Sequence, residues 1–98
     1  MSNIKCSYET ILVISTKLSD EQIESTVNKF QDLIEKNATL DGIEKWGKRK
    51  LAYMINKESE GYYVLFNFIS GTEFPAELDR IYKITDGVLR SLIVKKEG

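Results

Sequence analysis

The spacing of apolar and polar residues changes period several times along this chain, and the changes mark out six elements. Tyr8 to Ser15 (YETILVIS) is rich in β-branched and aromatic residues and predicts a strand. Ser19, with Gln22 three residues on, has the capping-box form that opens a helix. Ile23, Val27, Phe30 and Ile34 then recur at helical spacing, with Leu33 widening the stripe. The opposite face is charged, and the helix is predicted to end near Asn37. Asp20, Glu21 and Glu24 fall in its first turns, where the helix dipole favours them. Leu40 to Ile55 reads as one long strand interrupted at Gly47, a bulge position. Asn56 to Gly61 is a polar hairpin joint, and Gly61 to Ser70 (GYYVLFNFIS) is the strongest strand in the chain. Pro75 suits the first turn of a second helix whose apolar side is Leu78, Ile81 and Tyr82. Asp86-Gly87 makes a turn, and Val88 to Lys95 is the last strand.

The order β-α-β-β-α-β predicts an α+β fold, the ferredoxin-like sandwich, as a single domain over residues 1–98. Right-handed crossovers put both helices on one face of a four-stranded antiparallel sheet. The other face is left open, yet its residues are not polar. Leu12 and Ile14 lie opposite Ile11 and Val13. Tyr62, Val64, Phe66 and Phe68 oppose Tyr63, Leu65 and Ile69. Leu89 and Ile93 oppose Leu92 and Val94. Two helices cover only one of these sets, so the other predicts an apolar surface that a further molecule covers. The third strand lacks the glycine-and-aromatic signature of RNA-recognition domains, which favours a protein over stacked bases as the cover.

The 98 residues are 42% hydrophobic and 30% charged, in the range of a soluble globular domain. No window is apolar enough to cross a bilayer, so no membrane partner is expected. No apolar run precedes Tyr8, so no secretory signal is expected and the cytoplasm is the default location. There is no histidine, which removes the commonest general base and the commonest metal ligand. Cys6 is the only cysteine and forms no internal disulfide. The six glycines are spread out and form no phosphate-cradling loop. Glu58 and Glu60 read as a solvated loop, and Trp46 as a packed anchor more than a stacking platform. Together these features argue against an enzyme while leaving one built on Lys, Asp or Glu open, and no cofactor, metal site or small-molecule substrate is expected.

Charge adds one positive signal. The net charge is −1, yet Lys45, Lys48, Arg49 and Lys50 stand together with no acidic residue among them. Such a patch on a strand predicts local phosphate binding with few contacts and a modest salt dependence. Lys83, Arg90, Lys95 and Lys96 form a second, weaker basic zone around the last strand.

The run Gly47-Lys48-Arg49-Lys50-Leu51-Ala52-Tyr53, followed by Ile55, resembles the signature of a bacterial family, protein six of the small ribosomal subunit. Tyr8-Glu9-Thr10, Gly61-Tyr62-Tyr63, Val88-Leu89-Arg90 and Leu92-Ile93-Val94-Lys95 agree with it, over about residues 7–96. Met54 departs from the pattern, since many members have proline there. Some members carry a long acidic tail after the last strand, and none follows Lys96 here, so no tail-borne contact is expected. The resemblance implies a ferredoxin-like fold without catalysis, binding to the central domain of small-subunit ribosomal RNA, and pairing with small-subunit ribosomal protein eighteen. On this reading Lys45, Lys48, Arg49, Lys50, Tyr53, Arg90, Lys95 and Lys96 contact RNA. Arg49 is suited to hold a phosphate or base edge bidentately. Ile11, Val13, Leu92 and Val94 face the partner protein.

Two rivals share the fold. An acyl-phosphate hydrolase needs an arginine in a phosphate loop after the first strand, where this chain has Thr16-Lys17-Leu18. A regulatory ligand-binding domain would pair with itself through the sheet.

Overall fold

The computed structural model describes residues 5–55 and 57–96; residues 1–4, residues 97–98 and Asn56 of the expected hairpin joint lie outside the described residues. The elements are β1 (Lys5–Ser15), α1 (Asp20–Asn37), β2 (Thr39–Ile55), β3 (Glu58–Gly71), α2 (Phe74–Ile84) and β4 (Val88–Lys95). They form one four-stranded sheet in the order β2-β3-β1-β4, with every neighbouring pair antiparallel. This is the ferredoxin-like arrangement that the element order predicts.

Local chemistry sets the helix ends. The Ser19 hydroxyl accepts from the Gln22 N–H at 3.2 Å, and the Ser19 N–H donates to Gln22 Oε1 at 2.9 Å, a complete capping box. Pro75 stands in the first turn of α2, where its missing N–H costs nothing. The α1 stripe Ile23, Val27, Phe30 and Ile34 is buried, as are Leu78 and Tyr82 of α2. α1 lies over β2 and β3, and α2 lies over β4 and β3. Beneath them Leu12, Ile14, Val64, Phe66 and Phe68 complete the core. Each such side chain contributes roughly 1.5–3 kcal/mol on burial, enough to hold the helices on this one face. Phe30 and Tyr82 meet edge to face at 4.6 Å between ring centroids and tie the helices together. The Thr10 hydroxyl donates to the Tyr82 hydroxyl at 3.3 Å, a polar pair inside the core.

Three details differ from the reading of the sequence. β1 pairs from Lys5 rather than Tyr8, because the long β3 supplies partners as far as Gly71. The expected joint over residues 56–61 is shorter, since β3 begins at Glu58. Lys57 takes the left-handed backbone (φ 67°) beside the turn, and Glu58 is not a solvated loop residue: it accepts from the buried Ser15 hydroxyl at 2.6 Å. On β4 a register shift follows Val13↔Arg90, so Ile14 pairs with Val88. Val88, and not Leu89, therefore packs against the core. A bulge reverses which side chains face the helices, and within β4 no glycine or proline announces this one.

Candidate functional site

Directly paired residues of an antiparallel sheet point to the same side. The register therefore gives the open face as rows. Arg49, Gly61 and Ser15 form the row nearest the β2–β3 hairpin, and Gly47, Tyr63, Val13 and Arg90 the one after it. Glu44, Leu65, Ile11 and Leu92 form the next, and Gly42, Asn67, Glu9 and Val94 the one beyond.

This face is apolar but not uniformly exposed. Leu92 and Val94 are 51% and 47% exposed, Ile11 is half-buried, and Val13 is only 4% exposed. Val13 is thus not the accessible contact that the sequence suggests. Leu51, Tyr53 and Ile55, from the hairpin end of β2, surround it with Tyr63 and Arg90 and line a small hollow above it. The Arg90 guanidinium donates to the Tyr53 hydroxyl at 3.2 Å across 37 positions of sequence and links the hairpin end of β2 to β4, while the Tyr53 ring stays largely exposed. The accessible apolar strip runs along Ile11, Leu92 and Val94 at the β1–β4 side.

The long second strand bulges where the sequence suggests. Lys45 pairs with Val64 and Gly47 with Tyr63, so Trp46 and Gly47 share one partner. Gly47 has φ 81°, a left-handed conformation that glycine adopts without a Cβ penalty. The bulge turns the Trp46 ring onto Tyr63, stacked at 6.3 Å and 16°. Trp46 is 40% exposed, a rim anchor on the open face, and its indole N–H reaches Glu44 Oε1 at 3.3 Å.

The basic triple is not a single surface. Lys48 pairs with Tyr62, Arg49 with Gly61 and Lys50 with Glu60. Tyr62 packs against the core, so Lys48 and Lys50 lie on the helix side of the sheet. Lys48 Nζ is 3.7 Å from Asp20 Oδ1 at the start of α1, and both side chains are exposed. Lys45 lies on the same side and lines a hollow with Asp20, Ile23, Glu24 and Tyr62. Arg49 is on the open face, its guanidinium 5.9 Å from the Trp46 ring centroid. The alternation of a strand divides neighbours that look like one patch in the sequence.

The second basic zone divides likewise. Arg90 belongs to the open face, whereas Lys95 pairs with Tyr8 on the helix side. The Lys96 N–H donates to the Ser7 carbonyl at 2.8 Å, which fixes the backbone while the side chain stays exposed. Lys83 pairs with Asp79 at 2.9 Å on α2, away from the others. The sheet order puts the β2 cations at one edge and the β4 cations at the other, the second being the edge along which the apolar strip runs.

The profile of the family described as ribosomal protein S6 matches residues 7–95. The chain belongs to that family. A member from Clostridium perfringens, small ribosomal subunit protein bS6, is 50% identical over 91 residues, covering 92% of this chain and 96% of that one. The member from Thermoanaerobacter pseudethanolicus is 49% identical over 92 residues, covering 93% and 97%. The crystal structure of 30S ribosomal protein S6 from Thermotoga maritima superposes with a TM-score of 0.90 at 27% identity, over 95% of this chain and 89% of that one. As an S6-family member the chain is a structural small-subunit protein and not an enzyme.

Proposed function

We propose that this S6-family protein binds the central domain of small-subunit ribosomal RNA together with small-subunit ribosomal protein eighteen, in the cytoplasmic ribosome. The partner covers the open face over Ile11, Leu92 and Val94. RNA phosphates meet the edge cations: Lys45, Lys48 and Lys50 beside β2, and Lys95 and Lys96 at the end of β4. Tyr53 and Arg90, joined to each other, sit where the covered face meets the hairpin, within reach of either ligand.

The observation that carries this reading is a strip of exposed aliphatic side chains on a sheet face without helices, in a sheet whose two edge strands carry the cations. Leu92 and Val94 stand half-exposed in adjacent rows, where the family identity already calls for assembly with other molecules. Neither edge holds enough charge to bind RNA tightly alone, so partner and RNA contacts reinforce each other.

Lys48→Ala with Lys50→Ala tests the RNA edge. In RNA binding by the partner-saturated protein, the double variant is expected to lower the slope of log affinity against log salt by about 1.5. An unchanged slope removes this edge from the interface.

A further inference from the structure

We propose that β2 divides its three consecutive cations between two ligands: Lys48 and Lys50 serve RNA phosphate, and Arg49 belongs to the docking surface for the partner protein. The assignment rests on the reading that a protein covers the open face.

The register carries the division. Arg49 pairs with Gly61, and a Cβ built on Gly61 would point at Val13 Cγ1 of the open face. Paired residues share a side, so Arg49 projects from that face while Lys48 reaches toward α1. A phosphate held by Lys48 and Lys50 lies across the strand from the Arg49 guanidinium. Arg49 instead lies against the Trp46 ring, which itself stacks on Tyr63. The cation–π contact draws its guanidinium toward the Trp46 ring and leaves its N–H donors free. Arg49 is thereby preorganised as part of the face and not as a loose phosphate ligand.

The surroundings specify the occupant. Beside the stack is a depression of about 180 Å³ lined by Ile11, Val13, Tyr63, Arg90, Ser91 and Leu92. Its walls are mainly apolar with one guanidinium, which suits an aliphatic side chain with a carboxylate or main-chain carbonyl beside it. Arg49 and Arg90 bring two guanidiniums to the hairpin end of the face, where Glu58 is already engaged by the Ser15 hydroxyl and Glu44 by the Trp46 indole. A complementary segment presents carboxylate or carbonyl oxygens to the two guanidiniums and an aliphatic residue to the depression.

The test separates the two ligands. Pairing with purified small-subunit ribosomal protein eighteen is measured without RNA, and the salt slope of RNA binding is measured at saturating partner. Arg49→Ala is expected to weaken pairing about fivefold or more and leave the slope unchanged. Arg49→Lys keeps the charge but loses the planar guanidinium, and is expected to fall between. The Lys48→Ala, Lys50→Ala double variant leaves pairing within about twofold and lowers the slope. Unchanged pairing for Arg49→Ala, or a flattened slope, overturns the division. If the wild-type chain does not pair with this protein at all, the partner reading itself fails and takes the assignment with it.

Discussion

At Gly61 the sheet has no room for a side chain. An added Cβ would lie 2.4 Å from Val13 Cγ1, and Val13 is itself surrounded by residues from the hairpin end of β2. Gly61→Ala is therefore expected to destabilise the fold by about 1–3 kcal/mol, read as a lower urea midpoint. An unchanged midpoint would mean that Val13 moves aside freely. Tyr82 carries the other residue-scale demand. Burial pushes its phenol well above the ordinary tyrosine value. An acid whose folded pKa is raised gives its full contribution below the unfolded value. That contribution drains away as pH climbs past about 10. Tyr82→Phe should remove this alkaline loss from the stability profile. It should also cost about 1 kcal/mol near neutral pH, because the buried Thr10 hydroxyl loses its acceptor. Neither demand was legible in the sequence. Gly61 reads there as the start of a strand, and the crowding depends on a β1 side chain 48 positions earlier.

Among the elements, α1 was the most legible, since its cap, stripe and acidic first turn all act locally. Ser19→Ala should cost about 1 kcal/mol in thermal or denaturant unfolding. Asp20 also stands 3.7 Å from Lys48 Nζ, so on the proposed reading its carboxylate competes with phosphate for Lys48. Asp20→Asn is accordingly expected to raise RNA affinity about twofold at low salt, an effect that fades as salt rises. No gain at low salt would show that Lys48 does not meet phosphate. β2 was legible in extent and in its bulge at Gly47, but not in its further register shifts at Leu40/Gly42 and Lys50/Ile55, and less so in its faces. The triple Lys48-Arg49-Lys50 stands out as a run of charge, and runs invite reading as one surface. Period-two alternation already held the correction, and only the paired residues show which side is which. The β4 shift at Ile14↔Val88 left no such trace, because Val88 and Leu89 are equally good strand residues.

For the molecule as a whole, the open face is the organising feature. The sequence showed that two apolar sets competed for one layer of helices, and the fold confirms that the helices took the side of Leu12, Val64 and Phe66. It did not show that the hairpin end of β2 would surround Val13 on the remaining face, since Tyr53 and Arg90 meet only once four strands are in register. The strip is thereby narrowed to Ile11, Leu92 and Val94, and Leu92 becomes its most informative member. It is half-exposed, so a charge there is tolerated by the free fold while opposing a dry interface. The direct measurement is binding of central-domain ribosomal RNA by the wild-type chain and by Leu92→Asp, each with and without small-subunit ribosomal protein eighteen. The wild type should gain about tenfold or more in affinity when the partner is present, and Leu92→Asp, though folded, should gain little. An equal gain for both chains, or tight binding by the wild type without the partner, would contradict the role given to the open face.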